Sequence, residues 1–313
     1  MPEARISVRR ARWEQSDLLA QAEHASALPD LLHSIGLGAG HQAIVRRDGG
    51  EFALYTLTTV ESEASPDIVR MGVGGRGRLD AEDQHQFRAR LDSMAVDPAA
   101  TIDEALAGEK LLELFDDGHG QGLIVLAPHG GDIEPHTDEQ AEHVQSLLSD
   151  LGVSCWRCKG WKPGGGAADR WHITSTDINP ASFPRLATAA GSDFAHALSF
   201  HGFTEEGRPD VLVGGAAPDT LKRVMQAVIG FAVAGTGLRV EIAGADDPLG
   251  GNEEANLVNR LTTDRHNGIQ IEQQPSARSG TLPSSNTPRW QAIATAVADV
   301  YRVLLTAPVI RRP

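Results

Sequence analysis

The chain has 313 residues, of which 41 % are hydrophobic and 22 % charged, so it has an ordinary globular composition and is long enough for one large domain or two. Its formal charge of −14 argues against nucleic acid or an anionic membrane as partner, because both require clustered lysine and arginine. No apolar run approaches the ~18 residues of a transmembrane helix, and the arginine-rich N-terminus lacks the apolar segment of a signal peptide. We therefore expect a cytoplasmic protein.

The first part of the chain, residues 1–115, is predicted to form an α+β accessory region. Residues 14–36 carry apolar side chains at helical spacing and predict an amphipathic helix. A hairpin is predicted in residues 43–60, because an Asp-Gly-Gly sequence separates two runs of β-forming residues, and a third strand at 68–73. Residues 81–115 are polar and are predicted to be mostly helical. This region offers no catalytic constellation, since its histidines are scattered along it.

In the rest of the chain the order strand, loop, helix repeats. This order predicts a three-layer α/β/α domain with a mixed sheet, which we place at residues 116–313. The predicted strands lie at 123–127, 153–156, 193–200, 211–214, 238–243 and 269–272, with 171–176 as a further candidate. The predicted helices lie at 138–151, 184–190, 219–234 and 252–264, and the last begins at 288. Thr137 is predicted to cap the first of these helices, with Gln140 completing a capping box.

The two cysteines, Cys155 and Cys158, form a CxxC pair. A zinc finger needs a second ligand pair, and none lies at finger spacing. A thioredoxin-like motif opens a helix, whereas this pair falls in a predicted strand. We interpret the two thiols as structural or incidental, and the sequence does not decide whether they pair.

Side chains typical of metal sites follow the predicted strands. Pro128 breaks the first strand, and His129 comes next with two glycines that allow the backbone to turn back, so that Glu134 can approach His129. The same geometry recurs at His201, which follows the strand at 193–200. A single histidine near a carboxylate is ordinarily a simple hydrogen bond, so the metal hypothesis depends on these segments together.

Two histidines and one carboxylate form the ligand set of a catalytic zinc hydrolase, which keeps its fourth position for water. Such a site also needs a carboxylate that does not bind the metal and serves as general base, and Glu272 at the end of a strand suits that role. A guanidinium is needed if the substrate carries a carboxylate, because it binds one through two parallel donors. Arg278 suits this second role, with Arg260 in reserve.

These segments resemble the zinc-dependent poly-γ-glutamate hydrolases of phages of Gram-positive bacteria, a family similar in fold to metallocarboxypeptidases. The resemblance covers about residues 122–280 and rests on motifs in order: His129-Gly-Gly-Asp-Ile-Glu134, Leu198-Ser-Phe-His-Gly202, Asn256-Leu-Val-Asn-Arg260 and Gly268-Ile-Gln-Ile-Glu272, with Trp171-His-Ile-Thr-Ser175 as a further similar segment. It implies His129, Glu134 and His201 as zinc ligands and Glu272 as general base. The first third of the chain lies outside the resemblance. If a phage encodes the chain, release by lysis is the alternative to the cytoplasmic location expected above.

The sequence thus predicts a zinc-dependent amidohydrolase that cuts γ-glutamyl or related amide bonds, with a carboxylate-bearing amide, such as poly-γ-glutamate, as substrate. The predicted substrate-binding residues are Arg278, Arg260, Asn259 and His172, although for His172 a hydrogen-bonding role is favoured. Two alternatives stay open: a zinc peptidase or deacylase acting on a small γ-glutamyl or acyl amide, and a non-catalytic polymer-binding protein on the same scaffold. The oligomeric state is undetermined.

The net charge conflicts with a polyanionic substrate. A chain at −14 repels a polyanion unless its cleft is locally basic. The basic residues expected to supply that local charge are Arg157, Lys159, Lys162, Arg170, Arg260 and Arg278.

Overall fold

The computed structural model describes residues 2–15 and 20–307, and these fall into two compact units. The first unit comprises Met1–Leu112 and Gly160–Ala187, and the second comprises Glu113–Lys159 and Thr188–Pro313. The domain boundary predicted between residues 115 and 116 stays a prediction. Within the described ranges, no helix is both long and apolar enough to cross a bilayer.

The first unit is built on a closed barrel of six strands. In chain order these are β1 (Glu3–Arg10), β2 (His24–Ala27), β3 (Gln42–Arg47), β4 (Phe52–Thr59), β5 (Ile68–Met71) and β6 (Gln86–Asp92), arranged as β1-β5-β2-β4-β3-β6. Its short helices are α1 (Pro29–Ser34), α2 (Val73–Gly77), α3 (Ile102–Leu106) and α5 (Ala167–Trp171), and α6 (Pro184–Ala190) crosses the boundary between the units. Inward-facing Ile6, Val8, Val45 and Leu91 belong to one buried apolar cluster that fills the barrel.

The hairpin predicted in this unit is confirmed, since β3 and β4 pair antiparallel through Ala43↔Tyr55 and Ile44↔Leu54. The third predicted strand is confirmed as β5. The single helix predicted at 14–36 is wrong, because β2 occupies part of that range. Helix α1 begins only at Pro29, and a proline, which lacks an N–H group, fits the first turn of a helix. Residues 16–19 of that prediction lie outside the described residues.

The mostly helical prediction for residues 81–115 is also wrong. Gln86–Asp92 forms β6, in which exposed and buried side chains alternate along the strand. That alternation has a period of two, and such a period lets a strand bury one face against the barrel core. Only Ile102–Leu106 is helical, and Leu112–Asp116 forms the first strand of the next sheet.

The second unit contains a seven-stranded mixed sheet. Its strands are β7 (Leu112–Asp116), β8 (Leu123–Gly131), β9 (Ser154–Gly160), β10 (His196–Gly202), β11 (Val211–Gly214), β12 (Val240–Ile242) and β13 (Gly268–Gln273), in the order β12-β11-β13-β10-β8-β9-β7. Strand β10 runs parallel to both β8 and β13, so the carboxyl ends of these three strands meet at one edge. Strand β11 runs antiparallel to β13, which makes the sheet mixed.

Helices cover both faces of this sheet, and the predicted fold class is confirmed. Its helices are α4 (Thr137–Leu147), α7 (Asp219–Ala232), α8 (Leu257–Arg260), α9 (Pro275–Arg278) and α10 (Arg289–Thr306). Helices α4, α7 and α10 bury one apolar stripe each in a common core with alternate residues of β8, β10 and β13. Helix α8 lies on the opposite face of the sheet. Gln270 alternates with the core residues Ile269 and Ile271 and so points away from that core. Its side chain accepts a hydrogen bond from Asn256, the N-cap residue of α8.

Several local predictions in the second unit need correction. Strand β8 does not end at Ala127 but continues to Gly131, so His129 lies within a strand. Thr137 caps nothing, because its hydroxyl donates to the Glu134 carbonyl at 2.8 Å, and His136 is the N-cap residue without a side-chain bond. Of the helix predicted at 252–264, only Leu257–Arg260 (α8) is helical.

The candidate strand at 171–176 is wrong, because Trp171 ends helix α5. Cys155 and Cys158 are both buried and free, and they lie three residues apart on β9. Residues at that separation on a strand point to opposite faces, so the two thiols pack independently and the structural interpretation of the CxxC pair holds.

Candidate metal centre

The first two predicted ligands meet where β8 ends. The His129 carbonyl accepts a bond from the Glu134 amide at 2.8 Å, and this closes the turn between them. Gly131 adopts a φ of +68°, a conformation that side chains with a Cβ rarely take, so the reversal depends on this glycine. As a result the Glu134 Oε1 atom lies 3.0 Å from the His129 Nδ1 atom, and both side chains are buried.

Asp138, in the first turn of α4, stabilises the turn between His129 and Glu134. Its Oδ1 atom accepts a bond from the Gly131 amide at 3.1 Å, and its Oδ2 atom lies 2.6 Å from the Lys159 ammonium. Gly130 has no room for a side chain, since an added Cβ would lie 2.6 Å from the Asp138 Cβ and 2.9 Å from the Cys158 carbonyl oxygen. The shape of the turn is therefore fixed by packing and by one buried carboxylate.

His201 joins this pair from the neighbouring strand β10. Its Nδ1 atom lies 3.2 Å from the His129 Nδ1 atom and 3.5 Å from the Glu134 Oε2 atom. The following residue strengthens the arrangement, because the Gly202 amide donates to Glu134 Oε2 at 2.8 Å. Parallel pairing of β8 with β10 brings the two strand ends together, which sequence spacing alone could only suggest.

The three side chains fit a common metal ion. Ligands of a tetrahedral zinc lie ~2.0–2.1 Å from the ion and therefore roughly 3.3 Å from one another. The distances of 3.0, 3.2 and 3.5 Å among His129, Glu134 and His201 scatter around that value. Two imidazoles whose nitrogens face each other and a carboxylate form a set of electron-pair donors, which a cation satisfies more fully than a single shared proton.

Glu272 lies on β13 beside His201, its direct register partner in the parallel β10–β13 pair. Side chains at paired positions lie on the same face of a sheet. The carboxylate is buried, and its Oε1 atom accepts a bond from Gln270 Nε2 at 2.9 Å. Gln270 is in turn held by the Asn256 amide at 3.0 Å, so a chain of side-chain amides orients Glu272.

Arg278 lies at the end of α9, close to the same edge of the sheet. Its Nη1 atom donates to the Pro135 carbonyl at 2.6 Å and its Nε atom to the Gln273 carbonyl at 3.2 Å. Burial lowers the pKa of the guanidinium, while the nearby Glu134 and Glu272 carboxylates favour its charged form. The guanidinium packs on Gly202, where an added Cβ would lie 2.6 Å from the Cζ atom.

Asn259 serves the backbone. Its Oδ1 atom accepts from the Ala216 amide at 3.1 Å, and its Nδ2 atom donates to the Gly251 and Glu253 carbonyls at 2.8 Å each. The side chain is fully buried, so we assign it a structural role and do not include it among the proposed substrate-binding residues. Arg260, the reserve guanidinium, ends α8 and is partly buried.

His172 lies in the first unit, directly after helix α5. Its Nδ1 atom contacts the Glu23 carboxylate, whose other oxygen accepts from the Thr174 amide at 2.6 Å. The hydrogen-bonding role that the sequence favoured for His172 stays a prediction. Burial acts to raise the pKa of Glu23, but the bonds and charges around it, led by His172, lower the pKa to about 2.

Two features of the site were not predicted. Asp138 and Lys159 act as supports, but a carboxylate in the first turn of a helix reads as an ordinary partner of the helix dipole. Gln140 and Gln273 form a reciprocal pair of amide bonds of 2.9 and 2.7 Å, fully buried between α4 and β13. No sequence signal distinguishes these glutamines from surface residues, although Gln273 directly follows Glu272.

The model of the poly-γ-glutamate hydrolase family matches residues 112–297, more than half of the chain. The chain belongs to this family. Among curated proteins it is similar to the SPbeta prophage-derived UPF0714 protein YoqZ of Bacillus subtilis (strain 168), with 30 % identity over 151 residues, which is 48 % of each chain. It is also similar to the UPF0714 protein YndL of the same strain, with 30 % identity over 163 residues, 51 % of this chain and 56 % of YndL.

The family match contains all the residues placed at this edge of the sheet. The chain spans about half the length of the curated relatives it matches. Among solved structures it is similar to a bacteriophage poly-γ-glutamate hydrolase, with 24 % identity, a TM-score of 0.47, and coverage of 66 % of this chain and 94 % of that one.

Proposed function

We propose that this member of the family is a zinc-dependent amidohydrolase that cleaves γ-glutamyl amide bonds, with poly-γ-glutamate as the substrate to test first. The observation that carries the proposal is the convergence of His129, Glu134 and His201 at 3.0–3.5 Å in a buried corner of the sheet. These side chains would hold the ion. When bound, zinc supplies Lewis acidity, which lowers the pKa of water and polarises an amide carbonyl.

Glu272 takes the role of general base in this proposal. A buried carboxylate oriented by Gln270 is suited to accept a proton at a carboxylate oxygen and to pass it to the leaving amine. Its position as register partner of His201 places it on the same face of the sheet as that ligand. The amide of Gln270 keeps the carboxylate from rotating away, so the base is ordered before substrate arrives.

Arg278 is proposed to bind the substrate's carboxylate. Two of its donors are fixed on backbone carbonyls, which immobilise the guanidinium, and its Nη2 group makes no hydrogen bond within residues 2–15 and 20–307. Substrate binding therefore costs little side-chain entropy at this position. A family of enzymes named for a polymer with one carboxylate per unit is consistent with such a group, and Arg260 is kept as a second candidate.

The test is the metal content of protein purified without chelating resin, measured for wild type, His129→Ala and His201→Ala. We expect about one zinc per chain in wild type and its loss in both variants. His33→Ala, which removes an exposed histidine of helix α1, is the matched control and should keep the metal. Wild-type protein that takes up no zinc even when zinc is added would contradict the proposal.

Glu272→Gln separates the base from the ligands. This variant should keep its zinc and lose on the order of 10²- to 10⁴-fold in kcat, the usual contribution of a positioned acid–base group. Hydrolysis of poly-γ-glutamate and of short γ-glutamyl peptides should be measured in parallel, because activity on the peptides alone would move the substrate to a small γ-glutamyl compound. Normal turnover by Glu272→Gln would remove Glu272 from this role.

A further inference from the structure

The outer face of the barrel in the first unit carries arginines in adjacent register positions. On β6, Arg90 is the direct partner of Arg5 on β1 and also of Arg46 on β3, so three arginines form one row across three strands. A second row pairs Arg9 on β1 with Arg70 on β5. We call this set, with the neighbouring Arg88, the arginine strip; its members are Arg5, Arg9, Arg46, Arg70, Arg88 and Arg90.

The barrel does not need arginine at these positions. Buried Ile6, Val8 and Leu91 alternate with the arginines along β1 and β6, so the strip points away from the core. Like charges directly opposite one another on adjacent strands destabilise a sheet, by roughly 0.2–1 kcal/mol per pair. Three such pairs therefore cost stability, whereas a neutral polar residue such as glutamine would cover the same surface without repulsion.

Carboxylates of the fold neutralise only part of the strip. Arg70 is paired with Glu63 at 2.6 Å, and Arg88 with Asp67 at 3.1 Å. Arg90 reaches the exposed Glu3 only at 3.8 Å. Within the described ranges 2–15 and 20–307, Arg5 and Arg9 have no ion-pair partner, and the buried Nε atom of Arg9 has no hydrogen-bond acceptor.

The guanidinium of Arg46 is held in place by an aromatic ring. Its Cζ atom lies 4.0 Å above the Phe52 ring. A guanidinium stacked on a ring keeps its N–H groups directed along its edge, where they can bind a carboxylate through two parallel bonds. Arg46, at one end of the row of three arginines, is therefore held in place by the ring, and the ring-bound face of its guanidinium has no carboxylate partner.

Two of the basic residues that the sequence offered for a locally positive cleft, Arg157 and Lys159, are neutralised by carboxylates of the fold. Arg157 is paired with Asp116 and with Glu142, and Lys159 with Asp138 and Glu142. These ion pairs neutralise most of the positive charge of the two side chains. In a chain with a net charge of −14, the strip is a place where positive charge gathers without equal compensation.

We propose that the arginine strip is a binding surface for an extended polycarboxylate, separate from the metal centre, and that its ligand is the poly-γ-glutamate chain. The identity of the polymer rests on the proposed function. Adjacent strands lie ~4.8 Å apart, so the rows present guanidinium groups at short repeated intervals to a polymer with a carboxylate in every unit. Poly-γ-glutamate is chosen over nucleic acid because the chain belongs to the poly-γ-glutamate hydrolase family, and nucleic-acid binding is one outcome of the test.

Such a surface acts on long substrates only. A polymer bound to the strip is present at a raised effective concentration for the metal centre of the same chain, whereas a di- or tripeptide gains nothing from it. The strip should therefore lower KM for the polymer, leave kcat unchanged, and make polymer binding weaken as salt is added.

The experiment compares the full chain with two double variants. Arg5→Gln/Arg90→Gln interrupts the row of three arginines. The control, Arg223→Gln/Arg265→Gln, removes two exposed arginines of the second unit. Binding of sodium poly-γ-glutamate is measured at equilibrium at two salt concentrations, without reference to hydrolysis. We expect polymer binding roughly five- to tenfold weaker in the strip variant and unchanged in the control. The thermal midpoint of the strip variant should be no lower than that of wild type, because repulsion is removed.

Each other outcome has a definite meaning. Equal polymer binding by both variants and wild type overturns the inference even if the enzyme hydrolyses the polymer. A lowered thermal midpoint in the strip variant overturns it too, since the arginines then serve the fold. Tighter binding of a single-stranded DNA oligonucleotide than of the polymer overturns it in favour of a nucleic-acid surface. Strip-dependent polymer binding without hydrolysis supports the inference while the proposed function fails.

Discussion

Asp138 provides the sharpest test of how the site is held together. Its side chain is almost fully buried, pairs with Lys159 at 2.6 Å and accepts the Gly131 amide at 3.1 Å. Removing one partner of a buried ion pair costs about 3–5 kcal/mol, but Lys159 also contacts Glu142 at 3.1 Å, which reduces the loss to about 2–3 kcal/mol. Leaving the Gly131 amide without an acceptor adds about 1–3 kcal/mol.

We therefore expect Asp138→Ala to lower the free energy of unfolding by about 3–6 kcal/mol. It should also weaken zinc binding roughly 10- to 100-fold, the usual effect of losing a group that orients a metal ligand. Asp138→Asn should separate these effects. Its Oδ1 atom can still accept the Gly131 amide, so zinc affinity should stay within a few-fold of wild type while stability falls by about 1–2 kcal/mol.

The assays are urea unfolding, followed by tryptophan fluorescence, and competitive zinc titration. Glu142→Gln serves as the control, because it removes a half-exposed partner of Lys159 without touching the turn, and it should leave zinc affinity unchanged. The reasoning is refuted if Asp138→Ala binds zinc as tightly as wild type, or if Asp138→Asn loses as much affinity as Asp138→Ala.

Three further predictions concern single positions. Gly130→Ala should destabilise the protein by about 1–3 kcal/mol and weaken zinc binding, because the new Cβ would lie 2.9 Å from a backbone carbonyl of the adjacent strand; calorimetry and zinc titration measure this. Gly202→Ala should displace the Arg278 guanidinium, raise KM for carboxylate substrates about tenfold and leave zinc content unchanged, as steady-state kinetics and metal analysis would show. Glu23→Gln should cost about 3 kcal/mol at pH 7, because the pKa of Glu23 is lowered to about 2 in the folded protein by surroundings that include His172. That contribution is fully present above the ordinary carboxyl pKa and disappears as the pH falls from about 4.5 to about 2, which urea unfolding between pH 7 and pH 2 would follow.

Each of these three predictions would be contradicted by a specific result. Unchanged stability in Gly130→Ala would mean that the turn relaxes without cost. A lowered zinc content in Gly202→Ala would show that the glycine supports the metal ligands rather than the guanidinium. A stability loss in Glu23→Gln that is as large at pH 2 as at pH 7 would trace the effect to packing instead of charge.

The motif residues show how much of the site could be read from the chain. The pair of glycines after His129 predicted a reversal that brings Glu134 back, and the bond between the Glu134 amide and the His129 carbonyl has that form. Predictions failed where a local rule met a stronger tertiary demand. Thr137 looked like a helix cap, but its hydroxyl is used to close the turn before the helix.

Asn259 illustrates the opposite limit. The sequence placed it beside Arg260 in a predicted helix and among the substrate-binding residues. Its burial and its three backbone partners depend on tertiary structure, because Ala216, Gly251 and Glu253 lie in other segments of the chain. A sequence shows which side-chain atoms can form hydrogen bonds, but it does not show which of them will bond to backbone groups in the folded protein.

The sequence by itself determined the alternation of strands and helices, the buried strands and the polar residues at their ends, because hydrophobic periodicity and turn chemistry act over a few residues. Only the tertiary structure decided that β8, β10 and β13 lie side by side, so that His129, Glu134, His201 and Glu272 meet at one edge. The same holds for the barrel, whose closure sets arginines from β1, β3, β5 and β6 in register. Strand order and register depend on contacts between residues far apart in the chain, and these are fixed by packing of the whole core rather than by any local pattern.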